Sequence, residues 1–285
     1  LAWVLALCLA PAVQAEVFPP DGAHLLSSQP IVPLTWKLSG NSFSLSVSGS
    51  GRTVFEDTVS GSRHDLPVRE GTLYRWNVVP FAASSAGGEF FSFQYHGAAL
   101  RFFGKPATGY LKSPNRGWNS DGRHGMSGTA APDLTVYLSP GPHGVQLRVE
   151  NRQYLILDLS EPILIQSVGG DGAPGEAGQR GAAGAANALH QGAENGMPGG
   201  DGGAGGDGGR GGNIRVHSSG LPVQRWLRFD VRGGQAGRGG PGGPGGLAGF
   251  VRTGRQSVFQ GYPGPPGRQG SDGRAGADGV VQILP

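Results

Sequence analysis

From residue 17 to 95 apolar and polar positions alternate in short bursts. From residue 169 onward that alternation gives way, over long stretches, to glycine at every third place. Period-two alternation is the signature of a half-buried strand, and it predicts strands at 31–38, 43–47, 53–59, 62–68, 72–79 and 89–94. Turn residues at 39–41, 48–51 and 70–71 separate them. Trp36 alternates with Leu34 and Leu38, the spacing of an inner sheet face. Residues 96–121 are transitional: 100–103 are apolar, whereas 113–121 are turn-rich and carry Trp118. That tryptophan reads as a cover for the following domain, with a ligand-stacking platform as the alternative. A short triplet run at 122–128 follows, then further strand segments at 134–138, 145–149, 154–159, 163–168, 214–217, 226–231 and 280–284.

Between the later strands lie four glycine-frame runs that begin at Gly169, Gly196, Gly234 and Gly261, each six triplets long. Polyproline II has three residues per turn and rises about 3.1 Å per residue, so each run is expected to form a rod about 56 Å long. Runs one and two form one hairpin of rods and runs three and four another, with both ends of each hairpin continuing as strands. The loops 187–195 and 252–260 are then expected together at the far tip. Three residues per turn divide a rod into three rows, and run two has two bare rows, its frame glycines and Gly200, Gly203, Gly206, Gly209 and Gly212. Run three is similar, so both are placed inside. Run four has a single bare row and carries Tyr262, Pro265, Arg268, Asp272 and Asp278, which suits the outside. Because polyproline II makes no internal hydrogen bonds, buried rods must bond to one another.

The expected fold class is therefore all-β, in four parts. Residues 1–15 read as a signal peptide, an apolar run ending Val13-Gln14-Ala15. The basic n-region and a start Met are missing, so the chain is expected either to be cut short upstream or to start at a non-standard codon. Residues 17–95 form a β-sandwich, 96–121 a linker, and 122–285 strands carrying a polyproline II bundle. Cys8 is the chain's one cysteine and lies in the leader, so no disulfide is expected in the mature protein. Leu5-Ala6-Leu7-Cys8 departs from a lipoprotein box, with Leu7 where a small residue belongs. No later stretch is apolar and long enough to span a bilayer. The chain is placed outside the cytoplasm, secreted or on the cell surface.

Pro19-Pro20-Asp21-Gly22, Leu34-Thr35-Trp36 and Leu66-Pro67 through Gly71-Thr72-Leu73-Tyr74-Arg75-Trp76-Asn77-Val78 resemble a fibronectin type III module. The resemblance implies that Tyr74 is a tyrosine-corner residue tied to upstream backbone, and that Trp36 is the core tryptophan. It implies a spacer or binding platform and no chemistry. The strand at 131–136, the segment 154–158 and the GGDGGxGG pattern resemble glycine-rich polyproline II bundle domains, including those of bacteriophage tail-fibre adhesins, and collagen-like secreted bacterial proteins. The adhesin resemblance implies receptor binding through tip loops. Against a collagen triple helix, the four runs hold only 7 Pro in 72 residues, about 10% against the roughly 15–20% of collagen-like chains.

Charge and motifs exclude more than they assign. Net charge is +3, with 20 Arg and 3 Lys and no dense basic cluster, so nucleic acid is not an expected partner. The seven histidines form no ligand pair, and neither a nucleophile elbow nor a phosphate loop occurs. Asp201 and Asp207 lie two turns apart on one rod, too far to share an ion. Catalysis, cofactor and metal are accordingly not expected. The expected role is adhesion or recognition of a polysaccharide or an envelope protein by a monomeric chain, with His190, Gln191, Glu194, Asn195, Arg255, Gln256, Phe259 and Tyr262 as the tip set. The alternative is a purely structural envelope or matrix component.

Overall fold

The computed structural model describes residues 17–38, 40–80, 90–112, 117, 119–157, 160–185, 193–253, 256–259 and 261–285, with the backbone alone for 251–253 and 256–259. The expected leader 1–15 and Trp118 lie outside the described residues. The chain is all-β, as its alternation predicts, and it divides into two compact units that are not consecutive blocks. The first comprises the residues up to Ala98 with 140–147 and 152–163. The second comprises 99–139, 148–151 and 164–285.

In the first unit, β1 (Val17–Phe18), β3 (Ile31–Trp36) and β6 (Arg63–Pro67) form a three-stranded antiparallel sheet. A second sheet contains β2 (Ala23–Leu26), β4 (Ser42–Gly49), β5 (Arg52–Ser60), β7 (Thr72–Pro80), β8 (Phe91–Tyr95) and β12 (Arg152–Ile156), in the order β12-β2-β8-β7-β4-β5. Period-two alternation buries one face of each: Val32, Leu34 and Trp36 from β3 join Leu45, Val47, Trp76, Val78 and Phe93 from the larger sheet in one core. Trp36 meets Phe43 edge-on at 5.6 Å between ring centroids, and Tyr74 stacks on Phe93 at 5.2 Å. The Tyr74 hydroxyl accepts the Arg69 N–H at 2.8 Å, the upstream tie expected of it.

Two strands escape the sequence pattern because they are too short to alternate. These are β1 and β2, and β2 holds the larger sheet together by pairing in parallel with both β8 and β12. That pairing places 152–163 with the first unit, although these residues read in sequence as part of the glycine-rich domain.

In the second unit, β9 (Ala99–Phe103), β13 (Ile163–Val168) and β15 (Leu227–Asp230) form one three-stranded sheet in the order β15-β13-β9. β10 (Leu134–Gly141), β14 (Ile214–Ser218) and β18 (Val281–Leu284) pair in parallel, with Leu134 opposite Ile214 and Ile214 opposite Val281. β11 (Gly144–Val149) follows β10, and its last two residues, Arg148 and Val149, belong to this unit and lie beside β10. The strand expected over 226–231 is β15, and a single helical turn, α1 (Val223–Trp226), opened by Pro222, precedes it and takes Trp226. Val223 is buried in that turn.

Each of these strands adjoins a glycine-rich or extended segment, and the register continues from strand into segment. Residues 120–133 run into β10, run two into β14 and run four into β18. β9 leads into 104–111, β13 into run one and β15 into run three. Residues 104–111, inside the stretch that reads as a linker, are thus tied to run one: Gly104 N–H donates to the Val168 carbonyl and Ala107 N–H to Asp171. The final pair, β16 (Phe250–Thr253) and β17 (Gln256–Phe259), is an antiparallel hairpin. Its β-forming residues Phe250, Val251, Thr253, Val258 and Phe259 win over the loop expected at 252–260.

Candidate functional site

The runs bond to one another at every third residue, the period of a threefold extended helix. Run two is the most connected. Its frame glycines Gly196, Gly199, Gly202, Gly205, Gly208 and Gly211 donate to carbonyls of run four at 2.8–3.0 Å. Its second row, from Gly200 to Gly212, donates to run one and Ser167 at 2.8–2.9 Å and accepts from run three through the carbonyls of Gly200, Gly203, Gly206 and Gly209, while the carbonyls of Asp201, Ala204 and Asp207 accept from Gly122, Gly125 and Gly128. Within each partner pair the residue numbers climb together or in opposition. Residues 120–133, run two and run four are therefore mutually parallel, and run one and run three are antiparallel to them.

The bare rows have a steric cause. A Cβ placed on Gly206 would sit 1.9 Å from the Met126 carbonyl oxygen, and one on Gly205 would sit 1.9 Å from that of Gly237. The small row of run three faces run four in the same way, with Gly239, Gly242 and Gly245 against Gly270, Gly267 and Gly264. Run four's frame glycines lie against run two.

Polar side chains of residues 120–133, run two and run four cap backbone N–H groups of the neighbouring run. Asp121, His124, Ser127 and Asp133 accept from the N–H groups of Asp201, Ala204, Asp207 and Asn213, always 80 residues on. Asn195, Asp201, Asp207 and Asn213 accept from Tyr262, Arg268, Arg274 and Val280, always 67 residues on, at 2.7–2.9 Å. Asp272 and Asp278 cap Gly239 and Gly233. Asp133 also pairs with Arg210 at 2.9 Å, and these contacts, led by the Asn213 backbone, hold its carboxyl below the usual carboxylate range. Asp201 and Asp207 therefore have a defined structural task. Among the described residues no group of three or more His, Cys, Asp or Glu side chains is placed to hold a metal.

At the end of the runs remote from the strands, the fold brings together part of the expected tip set. Gly249 N–H donates to the Glu194 carbonyl, Gly196 N–H to the Tyr262 carbonyl, and Tyr262 N–H to Asn195 Oδ1, at 2.8–2.9 Å. Gln256 and Phe259 lie on β17, opposite Thr253 and Phe250. His190, Gln191 and Arg255 lie outside the described residues. Tyr262 is 76% exposed. Three exposed apolar side chains at the same end were not singled out from sequence: Met197, Leu247 and Phe250. The signal was present, since each is a large residue at the end of a run composed mostly of glycine.

A second polar cluster, in the first unit, also lies beyond the sequence reading. His24 Nδ1 on β2 and His96 Nε2, just past the end of β8, lie 2.9 Å apart, and Tyr154 packs edge-on to both rings. Burial first, then the charge of His24, pushes the His96 imidazole below its ordinary value. Beside it is a cleft of about 230 Å³ lined in part by Asp21, His143, Gln146 and Gln153. Asp21 is committed to Ser92, whose N–H and hydroxyl it accepts at 2.7 and 2.8 Å. No helix of the described residues is long and apolar enough to cross a membrane. Comparison with protein-family models, with curated proteins and with solved structures finds no match to this chain.

Proposed function

We propose that the chain is a non-catalytic extracytoplasmic recognition protein. In this reading a fibronectin-like sandwich serves as spacer, and a bundle of polyproline II rods presents its tip to a glycan or envelope surface. One observation carries the reading: Met197, Leu247, Phe250 and Tyr262 are all exposed at the end of runs whose bare rows are filled by neighbouring backbone. Exposed apolar residues gathered in one place, beside polar groups such as Glu194 and Asn195, are the usual marks of a contact surface.

The competing role is a structural envelope component built by lateral packing of bundles. The outer row of run four argues against it. Pro263 and Pro266 have no N–H to offer, and Asp272 and Asp278 already cap the N–H groups of run three. These devices blunt an edge much as proline and charge blunt an exposed strand.

The test is binding of the labelled chain to isolated bacterial envelopes and to a glycan array. The triple variant Met197→Ser, Leu247→Ser, Tyr262→Ala serves as the comparison, after its far-UV spectrum and melting have been matched to the wild type. Loss of at least tenfold in binding is expected. Unchanged binding would remove the tip from consideration.

A further inference from the structure

Away from the tip, the outward face of the β11-β10-β14 strands carries a ladder of planar groups. The Arg148 guanidinium carbon lies 4.0 Å from the centroid of the Tyr137 ring, and Tyr137 stacks on His217 at 4.8 Å with planes 12° apart. Tyr137 and His217 are directly opposed in the β10–β14 register. Side chains two apart on a strand share a face. Arg215 therefore stands beside His217 on this face, opposite Thr135 on one side and Gln282 of β18 on the other. Arg148, Arg215 and Tyr137 are exposed.

Neither Arg148 nor Arg215 is within ion-pair distance of a carboxylate among the described residues. The acid on this face, Glu150, accepts the Thr135 N–H through Oε1 at 2.6 Å. The Tyr137 ring covers one side of the Arg148 guanidinium, whose fork of N–H donors can take a carboxylate bidentately. Stacking also orders the arginine in advance, so less rotamer entropy is lost when a ligand arrives. Adjacent strands are about 4.8 Å apart, so the guanidinium on β11 and that on β14 are separated by roughly 10 Å across the sheet. Tyr137 on β10 lies between the two strands, and His217 stands beside Arg215 on β14, so a hydroxyl and an imidazole accompany the two guanidiniums on this face.

We propose that this face is a second binding surface, for an acidic polysaccharide of the polyuronate class. Arg148 and Arg215 each take a carboxylate, and Tyr137, His217 and Gln282 meet the sugar hydroxyls. Spaced cations interleaved with neutral hydrogen-bonding groups match a chain of carboxylates interleaved with hydroxyls better than a compact anion. The surface is distinct from the tip, so neither reading depends on the other.

The probe is an oligomer of polygalacturonate, with neutral dextran as control, titrated calorimetrically into the full chain at 50 and 300 mM NaCl. Binding to the polyuronate alone is expected, weaker at the higher salt. The double variant Arg148→Gln, Arg215→Gln should weaken it at least tenfold, whereas the tip variant Met197→Ser, Leu247→Ser, Tyr262→Ala should leave it unchanged. Arg148→Lys keeps the charge without the flat stack and should fall between the two. Equal binding to dextran, no binding to the polyuronate, or full binding by the double Gln variant would each overturn the proposal. So would tighter, Arg148-dependent capture of single-stranded nucleic acid.

Discussion

Replacing Gly206 by Ala should disrupt the bundle far more than a glycine-to-alanine change does elsewhere. The added Cβ would lie 1.9 Å from the Met126 carbonyl oxygen and 2.5 Å from its carbonyl carbon. Ordinary contact begins near 3.4 Å, so residues 120–131 must retreat by about 1.5 Å. A retreat of that size takes the Ala173→Met126, Gly125→Ala204 and Gly128→Asp207 backbone bonds, now 2.8–2.9 Å, beyond any useful length. At about 1 kcal/mol each they amount to roughly 3 kcal/mol. Stiffening the unfolded chain returns about 0.4–1 kcal/mol. The net loss is about 2–3 kcal/mol, which in a protein of this size lowers the melting temperature by roughly 5–10 °C. Scanning calorimetry is the assay, with Gly117→Ala as control because its Cβ would meet nothing within 4 Å. If the two variants melt alike, residues 120–131 do not pack on run two and the steric account of the bare rows fails.

Asp207→Ala should cost about 1 kcal/mol in chemical denaturation by leaving the Arg274 N–H without its 2.7 Å acceptor. Asp207→Asn should retain most of that, because Asn195 and Asn213 make the equivalent bond at their own positions. Tyr74→Phe removes the acceptor of the Arg69 N–H and should likewise lower stability by about 1 kcal/mol, read from a urea midpoint. The His24–His96 pair should make the first unit acid-sensitive. Burial makes the His96 imidazolium harder to form in the folded state than in the unfolded chain. Its contribution is therefore complete above the ordinary histidine value of 6.5 and is lost as pH falls below it. Melting temperature should drop between pH 7.5 and 5, and His96→Gln should flatten that drop; identical slopes would show that protonation of His96 is not linked to unfolding.

The three-residue frame and the bare rows were legible because they express a purely local constraint. A Cβ at Gly205 or Gly206 meets backbone, so only glycine serves there. The number of neighbours was not legible in the same way: run two, with two bare rows, bonds to four segments, and so does run one, with a single bare row, through residues 104–111 and 120–133 and runs two and three. The capping aspartates were not legible. The reason for Asp207 lies at Arg274, 67 residues away, and only the closed register of β14 with β18 reveals that offset. For the same reason residues 104–111 read as a linker: Gly104 and Gly109 are not in a triplet frame, and the ties to run one and to Thr129 are visible only once the chain is folded. The sandwich was read strand by strand from Trp36, Tyr74 and Trp76, whereas β2 and its pairing with β12 are non-local and escaped. At the tip, Glu194, Asn195 and Tyr262 come together because two hairpins of runs end at the same level. Phe250 was absorbed into run three by the frame, although its side chain is a strand former.

If the glycine runs of one chain satisfy one another's backbone, the glycine amides of run two must be protected from hydrogen exchange. Slow exchange is expected at two successive positions in each triplet, Gly202 with Gly203, Gly205 with Gly206 and Gly208 with Gly209, since each pair donates to two different neighbours. Protection at only one glycine per triplet, or rapid exchange throughout the run, would contradict it.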